Sequence, residues 1–324
     1  MKFRTEIETP ALCRQLDHAT NIFMAGSCFA DNISAKLRRA RFRVECNPLG
    51  VLYNPLSIER MFDLIAGRIA LSPDDMVCSG GAWFSYLAHS SLCGRSAREA
   101  ADNIARAAAR GAEALERAEC VILTLGTTGV YRLAADGSVA ANCHKQPADF
   151  FTSEHLDTRS CAAALRRIAA GPAAGKHIIL TVSPVRYVKE GLAGSMLSKA
   201  TLLVACHDIA REFADVDYFP AFEILNDDLR DYRFYGPDLV HPSAQAVEYV
   251  WEKFCETALT PRCRELLPRF ERIAKAREHK PFDPDGEEYR SFLRTTARQV
   301  EALHLEVPSA DLAEDLSFFG CGVG

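Results

Sequence analysis

NIFMAGSCFADNISAKLRRARFRVEC, residues 21–46, is the stretch whose reading decides the fold. The apolar run 22–25 has the length of a buried strand and stops at Gly26. Phe29, Ile33 and Leu37 then recur every four residues, the spacing of one helix face, so 29–40 reads as a helix. FRVEC (42–46) alternates as a second strand. A strand, a helix and a strand in so short a span open a parallel α/β sheet. Ser27 and Cys28, a hydroxyl beside a thiol, fall at the junction where the strand gives way to the helix.

The same alternation continues outward. NPLGVLYNPLS (47–57) is turn-rich, and 57–67 reads as a helix with Met61, Phe62 and Ile65 facing inward. WFSYLA (83–88) reads as a short strand or edge element. The Ala, Arg and Glu of 96–117 make a helix. CVILTLG (120–126) and HIILTVSP (177–184) are continuous apolar runs, as central parallel strands are. Segment 130–142, around Asp136-Gly137, reads as a hairpin. Helices are expected over 158–170, 195–214 and 243–258, and a last strand over 215–222. The fold class is α/β: a three-layer α/β/α arrangement around a parallel sheet.

After residue 259 the pattern changes. Segment 261–279 is a charged helix, 280–288 a linker and 287–304 a further helix, so 259–324 reads as a helical appendage to a domain over 1–258. The last twenty residues show no element and read as loosely ordered.

Composition narrows the function classes. The 324 residues are 48% hydrophobic and 25% charged, which is ordinary for a globular protein. A net charge of −5 gives no basic surface for nucleic acid. No apolar run approaches the ~18 residues of a membrane span, and the N-terminal stretch lacks the apolar core of an export signal. The 12 cysteines are scattered, with no CxxC pair, so reduced thiols and a cytoplasmic location are expected. Neither a metal site nor a cofactor is expected, and the oligomeric state is not legible.

In parallel sheets the chemistry sits at the carboxyl ends of the strands. Those ends are GSC (26–28), NPLG (47–50), GTTG (126–129) and SPVR (183–186). Cys28 at a helix start lies beside unpaired N–H groups, which lower a thiol's pKa and can bind an oxyanion; Asp31 in the first turn works against this. The alternative is a small residue packing a turn. A nucleophile needs a base, and GPDLVHPSAQAV (236–247) offers Asp238 three residues before His241, ahead of a helix. A lone DxxH also fits a surface loop. His89 after the aromatic run lines the cleft or packs. His144 and Lys145 contact substrate or lie in a surface loop. Arg186 at a strand end holds an anionic group or pairs with an acid of DDLRD (227–231). Lys199, near the start of its helix, reads as solvated. Trp83, Tyr53 and Tyr235 wall a pocket or pack in the core.

AGSCFADNI (25–33), NPLGVLYNPLSIERMF (47–62), ANCHKQP (141–147), TVSPVRY (181–187) and YFPAFEILNDDLRDYRFYGPDLVHPSAQAVEYVWEKF (218–254) together resemble the GSCFA family. That family falls in the SGNH (GDSL-like) hydrolase superfamily, and the blocks occur in its order over most of 1–258. The resemblance implies a flavodoxin-like sheet. It puts Cys28 where the superfamily's Gly-Asp-Ser block has its nucleophile, with Ser27 in the place of the aspartate. It puts Gly50 at the oxyanion-hole glycine, and Asp238 and His241 at the DxxH block. The third block, normally Gly-x-Asn-Asp, departs from the pattern: GTTG has Thr128 where the oxyanion asparagine stands, and Asn142 is a substitute if the hairpin folds back.

The expectation is a hydrolase in which Cys28 attacks an ester or thioester, His241 is the base, Asp238 orients it, and Cys28, Gly50, Thr128 or Asn142 hold the oxyanion. Ser27, His89, His144, Lys145 and Arg186 are substrate-binding candidates. The partner is a small acyl or carbohydrate molecule. Acyl transfer from a thioester donor to an alcohol is one alternative, and a binding protein without turnover is another.

Overall fold

In the computed structural model, which describes residues 5–9 and 11–320, the run 21–46 forms β1 (Ile22–Gly26), α1 (Cys28–Arg39) and β2 (Val44–Cys46). There follow α2 (Pro55–Ile65), a small hairpin of β3 (Val77–Ser79) and β4 (Ala82–Phe84), α3 (Ala97–Arg117) and β5 (Cys120–Leu125). An excursion of β6 (Gly129–Leu133), β7 (Val139–Ala140) and β8 (Phe151–His155) leads to α4 (Thr158–Ala170) and β9 (His177–Val182). The domain closes with α5 (Gly191–Glu212), β10 (Val216–Phe219), the short α6 (Ala221–Glu223) and α7 (Ala244–Ala258).

Five strands make one parallel sheet in the order β10-β9-β5-β1-β2. The chain runs outward from β1 to β2, then returns to the other side of β1 for β5. Strand order reverses between β1 and β5, which opens a crevice at their carboxyl ends. Side chains alternate across the sheet. Phe23 and Ala25 face a core built with α2, α3, α4 and α5, while Ile22 and Met24 face a second core built with α1 and α7. Each fully buried Phe, Leu or Ile contributes about 1.5–3 kcal/mol, so both faces must be covered.

The excursion forms a three-stranded antiparallel sheet, β7-β6-β8. WFSYLA is a strand only as far as Phe84; Ser85 onward turns away.

Beyond Ala258 come α8 (Pro261–Glu278), α9 (Glu287–Glu306) and α10 (Ala313–Gly320). The expectation of loose order after residue 304 is corrected for the described residues: Leu312 and Phe319 are buried against Phe270, Ile273, Val300 and Leu303. Residues 321–324 of that stretch lie outside the described residues. The three helices dock on the α1 side of the domain. His18 stacks on Phe42 at 4.4 Å and lies 4.9 Å from Phe270. Its Nε2 donates to the Ala40 carbonyl (3.0 Å), which leaves Nδ1 to accept from the Cys263 thiol (3.2 Å). Among the described residues, no helix is long and apolar enough to cross a membrane.

Candidate active site

The site grows from the turn between β1 and α1. Gly26 has φ +143°, and a Cβ there would lie 2.1 Å from the Thr124 carbonyl oxygen of β5, so only glycine fits. Ser27 donates its N–H to that same oxygen (3.0 Å) and is 1% exposed. Its Oγ accepts the Phe29 N–H at 3.3 Å and caps α1. Cys28 is then the first residue of the helix, half-buried at the carboxyl edge of the sheet. Asn47 fastens the next loop onto this turn. Its Oδ1 accepts the Gly26 N–H and its Nδ2 donates to Asp31, both at 2.8 Å.

The expectation of a lowered Cys28 pKa is corrected. Burial pushes the thiol up, and the Asp31 carboxylate adds to that. The N–H groups of Cys28 and Phe29 and the ammonium of Lys199 pull the other way without winning. The resting group is therefore a thiol, and attack requires a proton acceptor.

Lys199 is not solvated. It is 1% exposed, with Nζ donating to the carbonyls of Gly126 (2.6 Å) and Ser183 (2.8 Å), just beyond β5 and β9. Burial pulls its pKa down to about 7, against the pull of Cys28 and Glu190. Helical spacing places Ser195, Ser198, Lys199, Leu202, Cys206 and Ile209 on the buried face of α5, but Leu192, Met196, Leu197 and Val204 stand exposed on the others, so the sequence carries no clear signal for it.

Asp238 and His241 pair as expected. His241 Nδ1–H donates to Asp238 Oδ2 (2.7 Å), and Asp238 Oδ1 accepts the N–H groups of Val240 and His241 (3.0 Å each). These three bonds, the backbone ones foremost, hold the Asp238 carboxyl at about 2. A depressed carboxylate stabilises its loop above the unfolded value of ~3.9 and loses that contribution as pH falls through the folded value. The expected carboxyl titration of Asp238 by NMR therefore has its midpoint near 2, and the His241 amide shift follows it. A midpoint in the ordinary Asp range would mean the loop is open in solution.

Both side chains are about half exposed, at 51% for Asp238 and 52% for His241. No hydrogen bond joins His241 to Cys28 among the described residues. The two are nonetheless on one edge. α7 packs beside α1 on the same face of the sheet, with Lys36 paired to Glu248, and each residue stands at or just before the start of its helix.

Arg186 does not pair with an acid of 227–231 among the described residues. Its N–H donates to Val240 O (3.1 Å), its guanidinium to Leu239 O (3.2 Å), and the guanidinium carbon lies 3.9 Å from the Tyr235 ring centroid. It clamps the Asp238–His241 loop. Arg186→Ala removes the side-chain part, worth about 1 kcal/mol. Amide exchange across 236–241 is expected to quicken about fivefold.

The remaining candidates separate. Gly50 (φ +89°) donates its N–H to Asn47 O (2.8 Å) and touches His89, whose Cβ lies 2.0 Å from where a Gly50 Cβ would be. The Thr128 N–H donates to Ser198 Oγ (2.6 Å), and the two hydroxyls bond at 2.8 Å, all buried. Asn142 Oδ1 accepts the His144 N–H (2.8 Å), which leaves its Nδ2 without a partner among the described residues. His144 stacks on Phe84 at 4.0 Å and donates to the carbonyls of Ser85 and Ala88, pinning its loop against the segment that leads to His89. Lys145 is exposed. Tyr53 lies beside Cys28, whose charge raises it further after burial.

Cys13, His177 and Asp217 gather at the opposite edge, with ligand atoms all within 4.8 Å. They fit a metal poorly. His177 Nε2 already donates to Asp217 (2.8 Å), and a metal there would force the ring proton onto Nδ1, which is buried with no acceptor among the described residues.

Fold and site together define an α/β protein with a thiol at the head of its first helix and a clamped His–Asp pair on the same edge. The chain belongs to the GSCFA family: the family model matches residues 21–254, and the GSCFA domain protein C-terminal domain matches 270–321. Comparison with curated proteins found no match.

Proposed function

We propose that the chain is an SGNH-like acyl hydrolase in which Cys28 attacks an ester or thioester carbonyl. The carrying observation is the Cys28 thiol on its own helix-start N–H groups, at the edge that also bears the Asp238–His241 pair. Two further features support it. Strand order β10-β9-β5-β1-β2 is that of flavodoxin-like sheets, with the crevice beside β1. The Gly26 approach to Thr124, the buried Ser27 cap and Asn47 together fix the backbone from which the Cys28 thiol projects.

In this reading the thiol gives its proton to a base, the freed sulfur pair forms an S–C bond, and the carbonyl pair moves to oxygen. The Cys28 N–H is the first oxyanion donor, and Asn142 Nδ2 is the second candidate, since Gly50 and Thr128 spend their donors inside the protein. His241, entering as the imidazolium beside Asp238, protonates the departing oxygen or, from a thioester, the departing sulfur, then regains its proton from the water that cleaves the S–C bond. The division of the chain at 258/259 belongs to the same proposal, with α8–α10 as a docked support.

The test is a screen of acyl esters and acyl-coenzyme A with product analysis. Free acid is expected; an acylated sugar or alcohol in place of free acid would move the assignment to acyl transfer. A second reading, a binding protein without turnover, is favoured by the raised thiol and by the absence of a Cys28–His241 hydrogen bond among the described residues. No turnover of any acyl substrate, together with saturable ligand binding, would select it.

A further inference from the structure

Hydrolysis through Cys28 needs something to take the thiol proton, and among the described residues neither the exposed His241 nor Lys199 makes a hydrogen bond to that thiol at rest, so burial and place at the sheet edge decide between them. Lys199 is the buried group nearest to answering this. Gly126 and Ser183, whose carbonyls receive Nζ, follow directly on the neighbouring interior strands β5 and β9. Thr124, two residues before Gly126, accepts the Ser27 N–H, so the amine sits at the strand end beside the Cys28 turn.

Two carbonyls occupy two of the three non-carbon valences of Nζ. The third is an N–H when the group is charged and a lone pair when it is neutral. The same two hydrogen bonds serve both states, so a proton can arrive or leave without moving the side chain. The charged and titratable groups facing the pair are few. Cys28 and Glu190 act on Lys199; Asp31, Lys199 and Tyr53 surround Cys28.

We propose that Lys199 accepts the proton of Cys28 as the sulfur attacks, and that His241 is left to serve the leaving group and the water. The S–H bond breaks, the proton goes to the Nζ lone pair, and the freed sulfur pair forms the S–C bond. When water releases the acyl group, the ammonium returns the proton to sulfur. Burial favours the uncharged forms of both partners, raising the thiol and lowering the amine, so the resting pair is neutral and the amine is ready to accept. The proposal rests on the hydrolase reading for its purpose, though not for its test.

That test is the alkylation rate of Cys28 by iodoacetamide, read at its own peptide by mass spectrometry, from about pH 5 to about pH 10. The full-length protein is expected to show a first rise near pH 7, where Lys199 loses its proton, and a second at higher pH. Lys199→Met is expected to abolish the first rise, slowing alkylation at neutral pH about tenfold, and to keep the second. A wild-type profile with only the high-pH rise overturns the proposal, even if the variant does not fold. An unchanged profile in folded Lys199→Met overturns it as well. Alkylation needs no acyl substrate, so failure to find one counts against the hydrolase reading alone.

Discussion

Cys28→Ala takes turnover of acyl esters and acyl-coenzyme A to background, an expected fall of about 10³-fold or more in kcat/KM. The loss is chemical, because alanine changes little else. Gly26 still makes the close approach to Thr124, Ser27 still caps α1, and alanine is well tolerated in a helix. The stability cost of losing one half-buried sulfur is about 1 kcal/mol, so thermal unfolding stays within a few degrees of the parent. Ser27 cannot stand in, since its hydroxyl is 1% exposed and held by the Phe29 N–H. Cys28→Ser is expected to keep a small residue of activity, because a hydroxyl is a far weaker acid than a thiol and needs a stronger base. Initial rates on the two substrate classes, with melting curves on the same preparations, check all of this. Full activity in Cys28→Ala would remove the residue from the chemistry.

Much of this site is legible from residues 21–46 and 236–247 alone. The strand-to-helix junction is written in Gly26 and in the four-residue spacing of Phe29, Ile33 and Leu37, and the structure turns both into β1 and α1. The spacing of Asp238 and His241 is local, so their pairing follows from three residues of chain. What sequence could not give is long-range. Lys199 meets carbonyls 73 and 16 residues away, and α5 is apolar on most of its faces, so periodicity does not single out the buried side. The sign of the Cys28 shift was hidden for the same reason. Helix-start N–H groups can be read locally, but the burial that outweighs them is tertiary.

The elements that escaped are those with the weakest local signal. β8 is an exposed edge strand, FTSEH, with no apolar alternation. β3, the three-residue partner of β4, also went unread, although Gly80-Gly81, both at positive φ in a two-residue turn, mark the hairpin. α10 has only eight residues, below the length at which a helix holds alone, so it depends on what it packs against.

Arg41→Ala is expected to cost about 3–5 kcal/mol, concentrated in the docking of α10. Arg41 stands between α1 and β2, and its guanidinium grips Asp315 of α10 with two bonds, Nε to Oδ2 at 2.6 Å and Nη2 to Oδ1 at 2.9 Å. Both residues are buried, Arg41 at 8% and Asp315 at 1% exposed. Removing the arginine strands a carboxylate in a dry seam, and Arg277 at 3.8 Å is too far to replace two direct bonds. The exposed contacts of Arg39 with Glu271 and Glu278 contribute little by comparison. The backbone adds nothing to this cost: Arg41 has φ 65°, and arginine and alanine carry the same Cβ, so the strain there cancels between parent and variant. A double-mutant cycle with Asp315→Ala isolates the coupling of the pair from the penalty of stranding either partner. The expected coupling is above ~2 kcal/mol, with amide protection lost first across 311–320 and the Cys28 alkylation rate unchanged. Additive single mutants would instead put the docking energy in the apolar seam of His18, Phe42 and Phe270, where burial needs no ion pair.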